Sequence, residues 1–180
     1  MIRFTPTLHL FQCLGAAVGI LLIFDADAGS LRAVANENGE SIAIFRDGGK
    51  EPILTQNTKP DFRPFIHPIT APDGKGVLTE YSPGHHKHQT GIYWGFTRVN
   101  DRDYFHHPEG DYWKRRDAKV LEAAGDVVRW QTVYDLLAED GSAVLTETQT
   151  WTMRDEGHRY LLDLEWKGEA LTDITIGEYD

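Results

Sequence analysis

The 180-residue sequence has one cysteine, Cys13, and it lies in the first apolar run of the chain. With that segment set aside, neither a disulfide nor a thiolate metal site can form, so any metal ligands would be His, Asp or Glu. Basic residues are also scarce, with 18 Lys and Arg against 28 Asp and Glu. An acidic chain of this kind lacks the basic face that nucleic acid or an anionic membrane demands. No Gly-rich phosphate loop, no G-x-S-x-G elbow and no H-E-x-x-H pair is present. After Phe24 no run is long and apolar enough to cross a bilayer as a helix.

The one long apolar run, Leu8 to Phe24, follows Arg3 and ends in Ala26-Asp27-Ala28. A basic start, an apolar middle and an A-x-A ending define a secretory leader cleaved after Ala28. Residues 1–28 are therefore expected to be a signal peptide and residues 29–180 a secreted or periplasmic domain. Setting aside Arg3, Asp25 and Asp27 leaves 17 basic against 26 acidic residues, a formal charge of −9.

Turn signals recur at short intervals: Asn38-Gly39, Asp47-Gly48-Gly49, Pro72-Asp73-Gly74, Asn100-Asp101, Asp140-Gly141 and Glu156-Gly157. β-favouring runs lie between them, which predicts an all-β, antiparallel sandwich. "VVRWQTVYDLLA" and "AVLTETQTWTM" form a hairpin about Asp140-Gly141, with Trp130 and Tyr134 in phase on one strand and Leu145, Trp151 and Met153 on the other. "YLLDLEWKG" adds a strand whose Tyr160, Leu162, Leu164 and Trp166 share a face. The terminal "LTDITIGEYD" reads as a further strand or its exit, with Ile174 and Ile176 needing cover, as if this were the N-terminal portion of a longer domain.

Six of the seven histidines after residue 28 fall between positions 67 and 107. On an extended backbone His86 and His88 share a face and His85 takes the other. Such an H-x-H pair suits one polar ligand or one metal ion, and His67 could complete a zinc or copper set; no cofactor is favoured. Arg63 and His67 stand four apart in "RPFIHP", on one face of an extended segment whose prolines exclude a helix. Trp94, set between Gly91 and Gly95, has the face on which sugar rings stack. The loop that follows mixes acids, bases and aromatics in Asp101, Asp103, His106, His107 and Glu109, the mixture of a binding surface.

The stretch "FRPFIHPITAPDGKGVLTEYSPGHHKHQTGIYWGFTRVNDRDYF" resembles the PmoA-like family of exported bacterial proteins, whose pattern runs R-P-[YF]-x-H-P, P-x-G, H-x-H and G-[LI]-[WY]-[WF]-G. The likeness extends over roughly residues 40 to 180. The family label invokes a methane oxygenase, whose membrane subunit needs several spans that this chain lacks. The resemblance implies a galactose mutarotase-like supersandwich, hence a carbohydrate ligand, and members about twice as long. It points to Arg63, His67, His86, His88 and Trp94. Gln89 and Thr90 stand where some relatives carry His and Arg, which removes one metal ligand.

The expected function is thus sugar binding or sugar processing of the isomerase, epimerase or lyase kind. His67, His86 and His88 would be the catalytic acid/base groups, and Arg63, Trp94, His106 and Asp103 would bind substrate. Hydrolysis by carboxylates would fall to Asp103 or Glu178. The alternatives are a histidine-based copper or zinc protein, with His86, His88 and His67 as ligands, and a non-catalytic carbohydrate-binding module. The expected partner is a small carbohydrate, with no nucleic acid and, after leader cleavage, no membrane.

Overall fold

The computed structural model describes residues 30–178; the leader assigned to residues 1–28 lies outside the described residues. Nine strands make up the regular structure among them. They are β1 (Leu31–Ala35), β2 (Ser41–Arg46), β3 (Leu54–Asn57), β4 (Phe65–Ile69), β5 (Trp113–Glu122), β6 (Ala124–Gly125), β7 (Val127–Leu137), β8 (Ala143–Asp155) and β9 (Tyr160–Ala170). They form two antiparallel sheets, ordered β4-β3-β2-β1-β6 and β5-β7-β8-β9, so the all-β sandwich stands. β6 leaves the path between β5 and β7 to pair with β1, which links the two sheets at one edge.

Alternation explains the layers. Ile42 and Ile44 of β2, with Leu31, Leu54, Ile66 and Ile69, face Val128, Trp130, Trp151 and Met153 across the sandwich. This is the packing of two sheets by their inner faces. Polar groups pin it: Trp130 Nε1 donates to Gln56 Oε1 at 3.0 Å, and Arg46 Nε donates to the buried Asp155 at 2.6 Å.

The long hairpin keeps its expected register, with Trp130 opposite Trp151 and Leu136 opposite Leu145. Each Gly in the turn signals at 39, 48, 74, 141 and 157 has positive φ, as do Asn100 and Asp101. β9 pairs with β8 along its whole length, and its Leu162 and Leu164 lie against the core while remaining partly exposed.

The first sheet covers only part of the second. Over the rest lies the irregular segment from Gly95 to Tyr112, whose Val99 and Tyr104 bury against Trp113, Tyr134, Leu136 and Leu145. Of the two forms expected after Ala170, a further strand or its exit, the chain takes the second. It is irregular, with one bridge from Ile176 to Val99, and Ile174 packs on this second core while Ile176 stays 57% exposed.

Candidate functional site

Residues 82–90 are not extended, so the two-residue alternation of His85, His86 and His88 does not apply. Pro83 and Gly84 open one turn, closed by His86 N–H on Pro83 O at 2.8 Å, and Gln89 N–H on His86 O at 3.0 Å closes a second. Turns bring all three imidazoles to one side of the loop. The rings of His85 and His86 are 4.1 Å apart, and those of His86 and His88 are 5.8 Å apart.

The neighbour that matters most comes from the following loop. The ring of His106 meets that of His88 at 4.5 Å, and its Nδ1 lies 2.7 Å from Asp103 Oδ2. Asp103 also accepts the backbone N–H groups of Phe105 and His106 through Oδ1, each at 3.0 Å. Burial alone would raise the Asp103 carboxyl. The bonds from His106 and Phe105 outweigh it and hold the group below the usual carboxylate range. For His88, burial first, then His106, His86 and Arg63, push the imidazole below its ordinary value and favour the neutral ring.

Arg63 is placed differently from the ligand clamp expected of it. Its side chain is closed from solvent. The guanidinium donates to the carbonyls of Phe105 and, at 2.7 Å, His88, and its Cζ lies over the Tyr93 ring, 3.4 Å from the centroid. It ties the loop bearing His88 to the loop bearing His106 and positions both. Burial draws it down to about 10, while Tyr93 and Glu147 support its charge.

His67 belongs to another partner set. Its Nδ1 is 2.9 Å from Thr79 Oγ1, its ring lies against Tyr81 at 5.7 Å, and burial lowers its imidazole. The set His67, His86 and His88 is therefore not assembled around one point. Among the described residues no group of three or more His, Asp or Glu is arranged to hold a metal ion. Trp94 is 42% exposed, and its ring lies 6.0 Å from Trp166 and 6.2 Å from Phe96; the aromatic that meets the histidines is Phe105, against which Tyr93 packs at 5.1 Å. Glu178 is exposed at the end of the described chain.

An open cleft of about 450 Å3 lies between the two histidine groups, walled by Leu78, Thr79, Glu80, Gln89, Tyr93 and Phe105 among others. Thr79 connects it to His67. Phe105 connects it to the other side, with His88 and His106 at 5.7 and 5.0 Å from its ring.

One acid escaped the sequence reading. Glu147 is fully buried on the inner face of β8, where its oxygens accept Gln149 Nε2 at 2.7 Å and Trp166 Nε1 at 3.1 Å. Burial pushes its carboxyl up to about 7, against the pull of Trp166, Gln149 and Arg63. The signal was available, since position 147 is in phase with Leu145 and Trp151.

Fold and site together define an all-β sandwich protein whose Asp–His pair and neighbouring imidazoles are carried on loops, with Phe105 linking them to the wall of an open cleft. The chain belongs to the family of unknown function DUF6807, whose model matches residues 38–180. Neither the curated proteins nor the solved structures hold a match to it.

Proposed function

We propose that this is an exported, PmoA-like protein that binds a carbohydrate and carries out acid/base chemistry of the isomerase, epimerase or lyase kind on it. The observation that carries the reading is the contact of His88 with His106 while Asp103 holds His106 Nδ1 at 2.7 Å. A carboxylate on Nδ1 assigns the proton to that nitrogen and leaves Nε2 as the base. The neutral His88 ring 4.5 Å away can accept the proton that His106 takes up, and as imidazolium it can return that proton to a carbon or to a leaving oxygen of the same substrate. The cleft supplies hydroxyl, amide and carboxylate groups from Thr79, Gln89 and Glu80 next to the rings of Tyr93 and Phe105, the mixture that a polyhydroxyl ligand requires.

The leader supports export, and the family motifs support the PmoA-like label. The roles shift from those expected: His88 and His106 exchange the proton, Asp103 orients His106, Arg63 positions both loops, and His67 reaches the cleft through Thr79.

The test is a panel of aldoses, ketoses and uronates, followed by NMR for turnover and by calorimetry for binding, with metal content measured on the same samples. Turnover should fall at least about a hundredfold in His106→Ala and in Asp103→Ala. It should be unchanged in Lys119→Ala, whose exposed ammonium pairs with Asp117 on β5. A stoichiometric zinc or copper ion lost in His86→Ala would replace this reading with the metal one. Binding that survives both substitutions without any turnover would make the protein a carbohydrate-binding module.

A further inference from the structure

The cleft beside the histidines does not end at Thr79. A second cleft, of about 470 Å3, is walled by Ile69, Pro72, Leu78, Thr79, Ile92, His158, Arg159, Tyr160 and Leu162, so Leu78, Thr79 and Ile92 serve both. The first is polar where Glu80, Gln89 and Tyr93 line it. In the second, Ile69, Pro72, Tyr160 and Leu162 leave a wall that is almost entirely apolar.

The shared ridge is rigid. Leu78 N–H donates to Ile69 O at 2.7 Å, Ile92 and Ile66 exchange backbone bonds, and Thr79 Oγ1 accepts Ile69 N–H at 3.2 Å while meeting His67. Three backbone ties to β4 thus hold Leu78 62% exposed and Ile92 40% exposed. Single exposed apolar residues are ordinary, whereas a contiguous apolar wall that opens into a polar cleft is a feature of ligand grooves.

We infer that the two clefts form one amphiphilic groove, in which the apolar arm from Leu78 to Leu162 receives the hydrophobic aglycone of a glycoside whose sugar lies in the arm beside His88 and His106. The inference rests on the carbohydrate reading for its polar arm and adds the substrate class: a sugar bearing an alkyl or aryl group rather than a free monosaccharide. The continuity of the walls selects this occupant, because a ligand filling only the polar arm leaves Pro72, Tyr160 and Leu162 in water. Each methylene seated in the apolar arm strengthens binding severalfold.

Calorimetry with methyl and octyl β-glycosides of glucose, galactose and mannose, the octyl forms below micelle formation, tests it on the intact chain. For at least one sugar the octyl form should bind tenfold or more tighter than the methyl form. That ratio should collapse toward one in Leu78→Ser and in Leu162→Ser. Because each variant is judged by its own octyl-to-methyl ratio, general weakening cancels, and the exposed position of Leu78 keeps one variant folded. A ratio near one in the unaltered protein, or a ratio that survives both substitutions, overturns the groove. If no methyl glycoside binds, the carbohydrate reading fails by itself, and 1-octanol decides the apolar arm: NMR shifts at Ile92 and Leu162 that disappear in Leu78→Ser uphold it, and absent shifts overturn it.

Discussion

Arg63 donates a 2.7 Å hydrogen bond to the carbonyl oxygen of His88, a residue 25 positions later, from a side chain with no solvent exposure. The same guanidinium holds Phe105 O, so the separation of His88 from His106 is set from beneath by one buried cation. Arg63→Met should cost about 3 to 5 kcal/mol in urea unfolding, since it strands two interior carbonyls and removes the cation facing Glu147. Arg63→Lys keeps the charge but cannot span both carbonyls, so it should recover part of the stability. NMR titration separates positioning from support: the His88 imidazole should titrate higher in Arg63→Met, and a value unchanged in a folded variant would refute the clamp.

The Asp103–His106 pair predicts a pH signature. The folded-state carboxyl of Asp103 lies below its unfolded value, so its stabilisation is complete above the unfolded value and is lost as pH falls through the folded one. Asp103→Asn should flatten the acid limb of stability below about pH 4. In the same variant Nδ1 of His106 loses its anionic acceptor, and turnover should fall at least about a hundredfold. Equal acid limbs in the two proteins, measured by urea unfolding between pH 2.5 and 5, would sink the prediction.

Regular pairing was legible in the sequence and the loops were not, for a physical reason. Trp130, Tyr134, Leu145 and Trp151 occupy the faces their alternation assigns, because a ladder fixes side-chain direction to residue parity. His85 to His88 sit in consecutive turns, where parity means nothing and direction is set by contacts distant in sequence, such as that from Arg63. Composition drew attention to Asp103 and His106, yet the contact of His106 with His88 depends on how two loops cross. Glu147 was hidden differently. It obeys alternation, but a carboxylate in phase with core residues reads as an exposed one unless the phase is taken literally.

Gly91 ties one of these loops to β4. Its φ is +108°, and a Cβ there would lie 2.3 Å from Ile66 O and 2.9 Å from His67 Cβ. No side chain can yield at a backbone oxygen, so Gly91→Ala must break the exchange between Ile66 and Ile92. We expect a loss of about 3 kcal/mol, or roughly 10 °C in melting temperature. Amide exchange at Ile66 and Ile92 should quicken well before global unfolding, and protection equal to that of the unaltered protein would contradict this.

Glu147 sets the opposite pH trend to Asp103. Its folded-state value of about 7 lies above the ordinary carboxylate range, so between roughly pH 4.5 and 7 the unfolded chain gives up a proton that the folded chain retains. Stability should therefore decline as pH rises across that window and level off above it, with a full cost of about 3 kcal/mol. Glu147→Gln removes the titration and still accepts from Gln149, but its amide nitrogen faces the Trp166 donor and forfeits about 1 kcal/mol. The variant should be more stable than the unaltered protein by about 2 kcal/mol at pH 8 and less stable by about 1 kcal/mol near pH 4.5. A crossing of the two stability curves between those limits is the expected result. Parallel curves would mean that Glu147 stays ionised in the folded protein, with Arg63 as a full counter-charge.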